Sequence, residues 1–349
     1  MKYFLSHKAF CGVLSLCVLI GLCSFIGASR APAPSSTPAT TAAQEENTDT
    51  PSYIKWFEFD ATSEILTQAM KRDIASVEQE VKLNWIEIIA CLATKYGGDF
   101  GRYKAADMDA VCEKLQAGTP PAEIAGNEKN YTYYFEGYSA ALGGLVGDYE
   151  IEQDTEGGRQ MVHKYGLKAF SPIAKGYGFS HYDDFGNSRT YGYARRHLGN
   201  DLMGSIGTPI IAVESGVVEA LGWNQYGGWR IGIRSTDGMR YYYYAHLRKD
   251  RPYHSSLAVG QTVTAGDVIG YLGMSGYSTK ENTNNINIPH LHFGLQLIFD
   301  ESQKDSNNEI WIDLYDFVEF LQQNKSAVEK DDTKEYHRVY QMRDPTAYE

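Results

Sequence analysis

The 349-residue sequence predicts a multi-domain α+β protein with an N-terminal membrane or signal helix, a small all-α domain and a mainly antiparallel β C-terminal domain. Three observations predict this arrangement. An uncharged run lies close to the start of the sequence. Apolar residues then recur at helical spacing up to about residue 150, and short β-rich runs alternate with glycine turns from about residue 173. The length leaves room for two ordinary domains with linkers.

The first 28 residues are interpreted as a signal-anchor or a signal peptide. Lys2 and Lys8 precede an uncharged run from Ala9 to Ala28, which is long enough for a bilayer-spanning helix of about 20 apolar residues. Because the positive residues come first, the rest of the chain is expected outside the cytoplasm. The length of the run favours a single uncleaved helix in the cell membrane. The small residues Gly27 and Ala28 leave a cleaved signal peptide, and so secretion, as the alternative.

Residues 29–50 are rich in Pro, Ala, Ser and Thr and lack an apolar period, which predicts a disordered linker. Outside the N-terminal segment only two cysteines remain, Cys91 and Cys112, too few for a disulfide framework. Both are interpreted as buried helical residues, and a single bridge between them stays open because an exported compartment permits it. The formal net charge of −12 argues against a nucleic-acid partner, since phosphate binding needs a basic face.

Residues 53–150 are predicted to form a helical domain because apolar side chains recur at i, i+3, i+4 and i+7. One such stripe comprises Trp85, Ile88, Ile89 and Leu92. The favoured interpretation is a small helical bundle that packs on stripes of this kind.

Residues 165–324 are predicted to form the β domain, because apolar and polar residues alternate between closely spaced turn signals. Near its end, Trp311, Leu314, Tyr315 and Val318 share one face of a predicted closing helix. Residues 325–349 are charged and are predicted to form a mobile tail.

Two histidine motifs in the β domain indicate a metal site. His290 and His292 form H-x-H, and on a strand the side chains at i and i+2 point to the same face. His197 and Asp201 form H-x-x-x-D across a glycine-containing turn. Two imidazole nitrogens and one carboxylate suit Zn²⁺, and three protein ligands leave a fourth position, as in catalytic zinc sites. Each motif alone occurs often by chance, whereas both together on an exported β scaffold are a much stronger signal.

The order of these motifs resembles that of the LytM/lysostaphin-type zinc metallopeptidases of peptidase family M23. The resemblance runs from about Asp183 to Leu297, roughly a third of the chain. The matching segments are R-x-H-x-x-x-D at Arg195 to Asp201, G-T-P-I-I-A-V-E-S-G-V-V from Gly207, Y-A-H-L at Tyr244 to Leu247, G-Q-T-V-T-A-G-D-V-I-G from Gly260, and H-L-H-F at His290 to Phe293. The resemblance to this family implies a β fold of the duplicated hybrid motif type.

The resemblance implies Zn²⁺ as the cofactor and three zinc ligands: His197, Asp201 and His292. It also implies that His246 and His290 flank the water and the tetrahedral intermediate, as general base or acid and as oxyanion stabiliser. Tyr191 stands six residues before the first ligand, where some members place a tyrosine that hydrogen-bonds the oxyanion. Tyr193 is a neighbouring alternative for that role.

The implied activity is zinc-dependent cleavage of peptide cross-links or stem peptides in bacterial peptidoglycan. The alternative is a catalytically restrained or inactive scaffold or activator that binds wall peptide or a partner in the same groove. Because all implied ligands and both auxiliary histidines are present, the enzyme is favoured. The expected partners are the peptidoglycan peptide substrate and the membrane, through the N-terminal helix, and a cell-envelope regulator protein is left open.

Two departures qualify the resemblance. A polar insertion, residues 280–288, separates Thr279 from Pro289 and predicts a longer loop at the rim of the groove, which leaves specificity open. In the helical domain, the segment around Trp85 has a faint similarity to the helix that carries the catalytic Glu of lysozyme-like enzymes. Lys95 and Tyr96 stand about where Glu-Ser is expected there, so a catalytic role for this domain is the disfavoured alternative.

Overall fold

The computed structural model describes residues 53–347, which belong to one compact unit. The predicted N-terminal membrane or signal helix (residues 1–28) and the linker (residues 29–50) lie outside the described residues. Among the helices within residues 53–347, none combines the length and apolar character that a membrane crossing requires. A helical region is followed by an antiparallel β domain, as the sequence predicts.

The helical region consists of five α-helices: α1 (Ser63–Ala75), α2 (Trp85–Tyr96), α3 (Ala105–Gln116), α4 (Pro121–Ala125) and α5 (Glu128–Leu142). At three N-caps a side chain accepts a backbone N–H of the first turn, namely those of Thr62, Asn84 and Asn127. Helix α2 ends at Gly97, which adopts the left-handed conformation with φ of 68°. Sequence signals therefore mark the starts of α1, α2 and α5 and the end of α2.

Helix α2 forms the centre of the helical region. Its predicted apolar stripe, from Trp85 to Leu92, is buried among α1, α3, α4 and α5. Cys91 on α2 and Cys112 on α3 are both buried and both free. The interpretation of two buried residues is thus confirmed, and the bridge that was left open is not formed. Burial raises the pKa of the Cys91 thiol to about 12, so it carries no reactive thiolate at neutral pH.

The helical pattern ends earlier than predicted, because a hairpin begins at Val146. Strands β1 (Val146–Thr155) and β2 (Gly158–Leu167) pair along their whole length. Most of β1 is only partly buried, so it has no clear apolar alternation in the sequence. A contact remote in sequence holds the hairpin on the helices: the Tyr165 hydroxyl donates to Asp73 of α1 at 2.6 Å. The assignment of residues 146–150 to a purely helical domain was wrong for this reason.

The β domain begins with a series of short strands and hairpins. Its strands are β3 (Ser180–His181), β4 (Ser188–Arg189), β5 (Arg195–Arg196), β6 (Asn200–Met203), β7 (Pro209–Ile211), β8 (Gly216–Asn224), β9 (Gly228–Ser235), β10 (Arg240–Ala245), β11 (Thr262–Val263), β12 (Val268–Tyr271), β13 (His290–Leu297) and β14 (Ile310–Trp311). The main sheet has the strand order β11-β8-β9-β10-β13-β6-β3, with β14 also paired to β13. Its pairings are antiparallel, as predicted.

The closing helix is shorter than the predicted pattern. Helix α6 (Tyr315–Leu321) buries Phe317, Val318, Phe320 and Leu321, whereas Trp311 lies before it in strand β14. Pairing of β14 with β13 overrides the helical spacing of Trp311 and places this side chain on the sheet.

The predicted mobile tail is ordered from residue 325 to residue 347. It contains β15 (Val328–Lys330), β16 (Tyr336–Arg338) and β17 (Met342–Arg343), and β17 pairs with β1. Asp344 forms a buried ion pair with Lys168 at 2.7 Å. The prediction was wrong because its charges have partners far away in the sequence, which no local pattern shows.

A buried arginine joins the helices to the main sheet. Arg240 on β10 is fully buried and forms a two-point ion pair with Glu214, at 2.8 and 3.0 Å. The same guanidinium donates to the carbonyl of Ala140 near the end of α5, at 2.8 Å, and to Asp237 at 2.7 Å. Tyr242 adds a hydrogen bond to Glu214 at 2.7 Å. The apolar core continues from the helices into the sheet around this network.

Replacing Arg240 tests how strongly the fold depends on this network. Arg240→Met leaves Glu214 buried without its cation, so we expect the free energy of unfolding to fall by about 3–5 kcal/mol. Arg343→Met is the matched control, because Arg343 is exposed and lies 3.6 Å from the exposed Glu150, and its loss should stay under about 1 kcal/mol. Urea unfolding measures both values. Similar losses for the two variants would contradict a structural role for the buried network.

Candidate metal centre

Strand pairing brings two of the predicted site residues together. In the register of β6 with β13, Asp201 lies directly opposite His292. His290 stands two residues before His292 on the same strand, so both imidazoles enter one face of the sheet. The H-x-H motif therefore lies on a strand, as its interpretation required.

His197 reaches the same point from the turn between β5 and β6. Gly199 allows this approach, because a Cβ there would lie 2.6 Å from the carbonyl oxygen of Phe293 and 2.9 Å from His292 Nε2. Only a residue without a side chain fits so close to β13. The glycine in the H-x-x-x-D motif is thus part of how the site is built.

The three side chains converge on one point. His197 Nε2 lies 2.8 Å from His292 Nδ1 and 3.1 Å from Asp201 Oδ1, and His292 Nδ1 lies 3.3 Å from the same carboxylate oxygen. Tetrahedral zinc bonds of 2.0–2.2 Å place ligand atoms about 3.3–3.6 Å apart. The three atoms lie slightly closer together than this, and their donor set of two nitrogens and one oxygen fits a Zn²⁺ ion. These are the three residues that the resemblance implied as ligands.

Asp184 and Arg189 support the converging side chains from outside. His197 Nδ1 lies 3.0 Å from the carbonyl oxygen of Asp184, and the Asp184 carboxylate accepts the N–H of Asp201 at 3.2 Å. Arg189 donates to Asp184 at 2.8 Å and to Asp201 Oδ2 at 3.1 Å. Such outer contacts fix ring orientation and ligand basicity. Sequence reasoning missed both residues, because they form no spacing pattern with His197.

Burial and neighbouring groups set the charges of the site. Burial opposes ionisation of Asp201, but hydrogen bonds with His197 and His292 hold the pKa of this carboxyl well below its usual range. Burial alone would lower the pKa of His197, yet contacts with Asp184 and Asp201 raise it to about 9. Burial lowers the pKa of His292. The carboxylate is therefore available as an anionic ligand.

His246 and His290 lie beside the three converging residues. Their ring centroids are 4.8 Å apart, and His290 Nε2 lies 3.6 Å from Asp201 Oδ1. His246 Nδ1 lies 2.9 Å from the carbonyl oxygen of Ser275, and His290 Nδ1 lies 2.8 Å from that of Ile288. Each carbonyl accepts the Nδ1 proton, which leaves Nε2 of a neutral ring as a proton acceptor.

Tyr191 lies one aromatic ring away from His246. Its ring stacks on Tyr277 at 4.7 Å, and the Tyr277 ring meets the His246 imidazole edge to face at 5.7 Å. The exposed Tyr193 packs against Tyr226 at 5.8 Å. Tyr191 is therefore near the site through Tyr277, and its role at the oxyanion stays a prediction.

A groove of about 370 Å³ opens above the site. Its lining includes the side chains of Arg195, Tyr226, Arg230, Tyr241, Tyr243, His246, Tyr277, His292, Gln296 and Trp311. Among the described residues, none of the insertion 280–288 lines this groove. The insertion is held instead by Asn282, which accepts from the Trp229 indole at 2.9 Å and donates to Asp250 at 2.6 Å.

Known proteins are similar to the part of the chain that contains the converging side chains. A family described as "Peptidase family M23" matches residues 195–306. The L-Ala–D-Glu endopeptidase of Bacillus subtilis is 39% identical over 117 residues, which cover 34% of this chain and 34% of that protein. Lysostaphin of Staphylococcus simulans is 35% identical over 136 residues, 39% of this chain and 24% of that protein. This chain thus spans about a third or less of the length of these relatives.

A crystal structure from Ruminococcus gnavus, described as a candidate glycyl-glycine endopeptidase lytM, is also similar. It has a TM-score of 0.49 and 22% identity, over 78% of this chain and 92% of that one. The matched residues 195–306 contain all three converging donors and both neighbouring histidines. This chain therefore contains a domain of peptidase family M23, with lysostaphin among its relatives.

Proposed function

We propose that this protein is a zinc-dependent endopeptidase that cleaves peptide cross-links or stem peptides of bacterial peptidoglycan. The observation that carries the proposal is the convergence of His197 Nε2, Asp201 Oδ1 and His292 Nδ1 within 3.3 Å of one another. The M23 domain and the endopeptidase names of its relatives support the reaction class. Motif similarity to wall-cleaving members supports peptidoglycan as the substrate.

The proposal assigns separate roles to the five side chains. His197, Asp201 and His292 hold the ion, which when bound supplies a Lewis acid for the scissile carbonyl and for water. His246 and His290 act on protons and on developing charge, because their Nε2 atoms are free to accept while backbone carbonyls hold their Nδ1 protons. Burial keeps the pKa of His246 well below its usual value, so this ring is neutral at physiological pH.

The proposal places the catalytic domain outside the cytoplasm, tethered to the cell membrane. Its support is in the sequence: Lys2 and Lys8 precede the uncharged run, and a Pro/Thr-rich linker follows. An extended linker reaches at most about 3.5 Å per residue, so a linker as long as residues 29–50 could reach tens of ångströms. That reach lets a tethered enzyme search the inner face of the wall.

Metal content distinguishes ligands from neighbours. The full chain should bind one zinc ion, and Asp201→Ala should lose it because one of three ligands is gone. His290→Ala is the matched control, since it removes an imidazole beside the site without removing a predicted ligand. Elemental analysis by plasma mass spectrometry gives the zinc-to-protein ratio. Full zinc occupancy in Asp201→Ala, or zinc loss in His290→Ala, would show that the ligand roles are misassigned.

Turnover tests the two neighbouring histidines. His246→Ala and His290→Ala should keep zinc but lose about 10²–10⁴-fold in the rate of peptidoglycan cleavage, because proton transfer and oxyanion stabilisation act in the transition state. The exposed His163 provides the control, and His163→Ala should match the wild type. Mass spectrometry of fragments released from purified peptidoglycan follows the reaction. A zinc-loaded wild-type chain that binds peptidoglycan and releases no fragment would instead support the wall-binding scaffold.

Fractionation tests the location. The intact protein should sediment with membranes, and protease added to wall-stripped cells should release a soluble, active fragment. Recovery of most of the protein from culture fluid, with a new N-terminus near Ser29, would show that the run is a cleaved signal peptide. Export would survive that result and the tether would not.

A further inference from the structure

The groove continues beyond the metal centre along one face of the main sheet. Side chains at alternate positions of β13 point to this face, so His292 and Gln296 share it. They stand four positions apart, which is about 13 Å along β13. Tyr241 of β10 lies directly opposite Gln296, and both side chains line the groove. The groove floor thus extends from the three converging side chains over a length that could accommodate several residues of a bound peptide.

Two hydrogen-bond donors on this floor have no partner among the described residues. Gln296 is only 2% exposed, and its buried Nε2 makes no hydrogen bond there. The buried Nε of Arg230, on β9, is also without a hydrogen-bond partner among the described residues. An unmade bond of this kind costs about 1–3 kcal/mol, and more for a charged group. Buried N–H donors without a partner indicate a binding site for a ligand that provides hydrogen-bond acceptors.

Tyr241 lies between these two donors. Its hydroxyl lies over Gly232 of β9, where a Cβ would come within 1.9 Å of it. Arg230 stands two residues before Gly232 and so shares this face. Burial raises the pKa of Tyr241 to about 12, and the charge of Arg230 opposes this rise. The cation therefore acts on the phenol, which places the two groups in one electrostatic environment.

We propose that Arg230, Tyr241 and Gln296, the donor row, form a subsite for the free glutamate carboxylate of a stem peptide. The inference rests on the proposed function, because it assigns a substrate feature to the same groove. All three side chains offer N–H or O–H groups, and an ionised carboxylate accepts about four hydrogen bonds. A guanidinium also pairs with a carboxylate more strongly than with a neutral amide. Glu309 also lines the groove, and its carboxylate already accepts a hydrogen bond from the Trp311 indole N–H at 2.8 Å.

The test compares two stem-peptide tetrapeptides that differ at one position, glutamate in one and glutamine in the other. Binding to the full chain is measured by isothermal titration calorimetry in a His246→Ala background, so that hydrolysis does not consume the probes. The glutamate peptide should bind at least about tenfold more tightly. Arg230→Met and Gln296→Met should each reduce this preference to less than about threefold. Arg343→Met removes an exposed arginine outside the groove and should leave the preference unchanged.

Equal affinity for the two peptides, or a full preference retained in Arg230→Met, would overturn the donor row as a carboxylate subsite. Because Gln296 is buried, Gln296→Met can fail to fold. In that case Arg230→Met alone decides the test. Failure of the proposed function has a different signature. In that case the wild-type chain would release no fragments from peptidoglycan, while the preference for the glutamate peptide would persist.

Discussion

The site depends on the antiparallel register between β6 and β13. This register places Asp201 opposite His292, and the pairing of β10 with β13 places Ala245 opposite the same histidine, so that His246 follows beside it. A shift of one residue would turn one partner to the other face of the sheet and separate the donors. Strand pairing therefore sets the positions of Asp201, His292 and His246, and His197 reaches them from the turn between β5 and β6.

Support for this sheet comes from outside the M23 domain. The buried Arg240 ties β10 to Glu214 and to the last turn of α5, and the apolar core runs through the same region. The cost of burying a guanidinium is offset only when its donors are satisfied, as they are here. The helical region thus acts as packing for the back of the sheet, while the groove occupies the other face, where Gln296 and Tyr241 lie.

The sequence allowed prediction of the parts that depend on local spacing. The H-x-H strand, the apolar stripe of α2 and the antiparallel sheet follow from periodicity, and the motif order pointed to the three converging residues. Contacts between distant segments were not predictable in this way. Asp184 is brought to His197 by the fold, and the ion pair of Lys168 with Asp344 orders a segment whose charges suggested a tail. Trp311 has helical spacing but lies in a strand, because pairing with β13 outweighs local preference.

We propose that His197, Asp201 and His292 hold a catalytic zinc ion beside two histidines that do not bind it. Anomalous diffraction at the zinc absorption edge, from crystals of the full chain, tests this most directly. We expect one strong peak about 2.0–2.2 Å from His197 Nε2, Asp201 Oδ1 and His292 Nδ1, with His246 and His290 outside bonding distance. A peak coordinated by His290 or His246, or no peak at this point in zinc-loaded crystals, would contradict it.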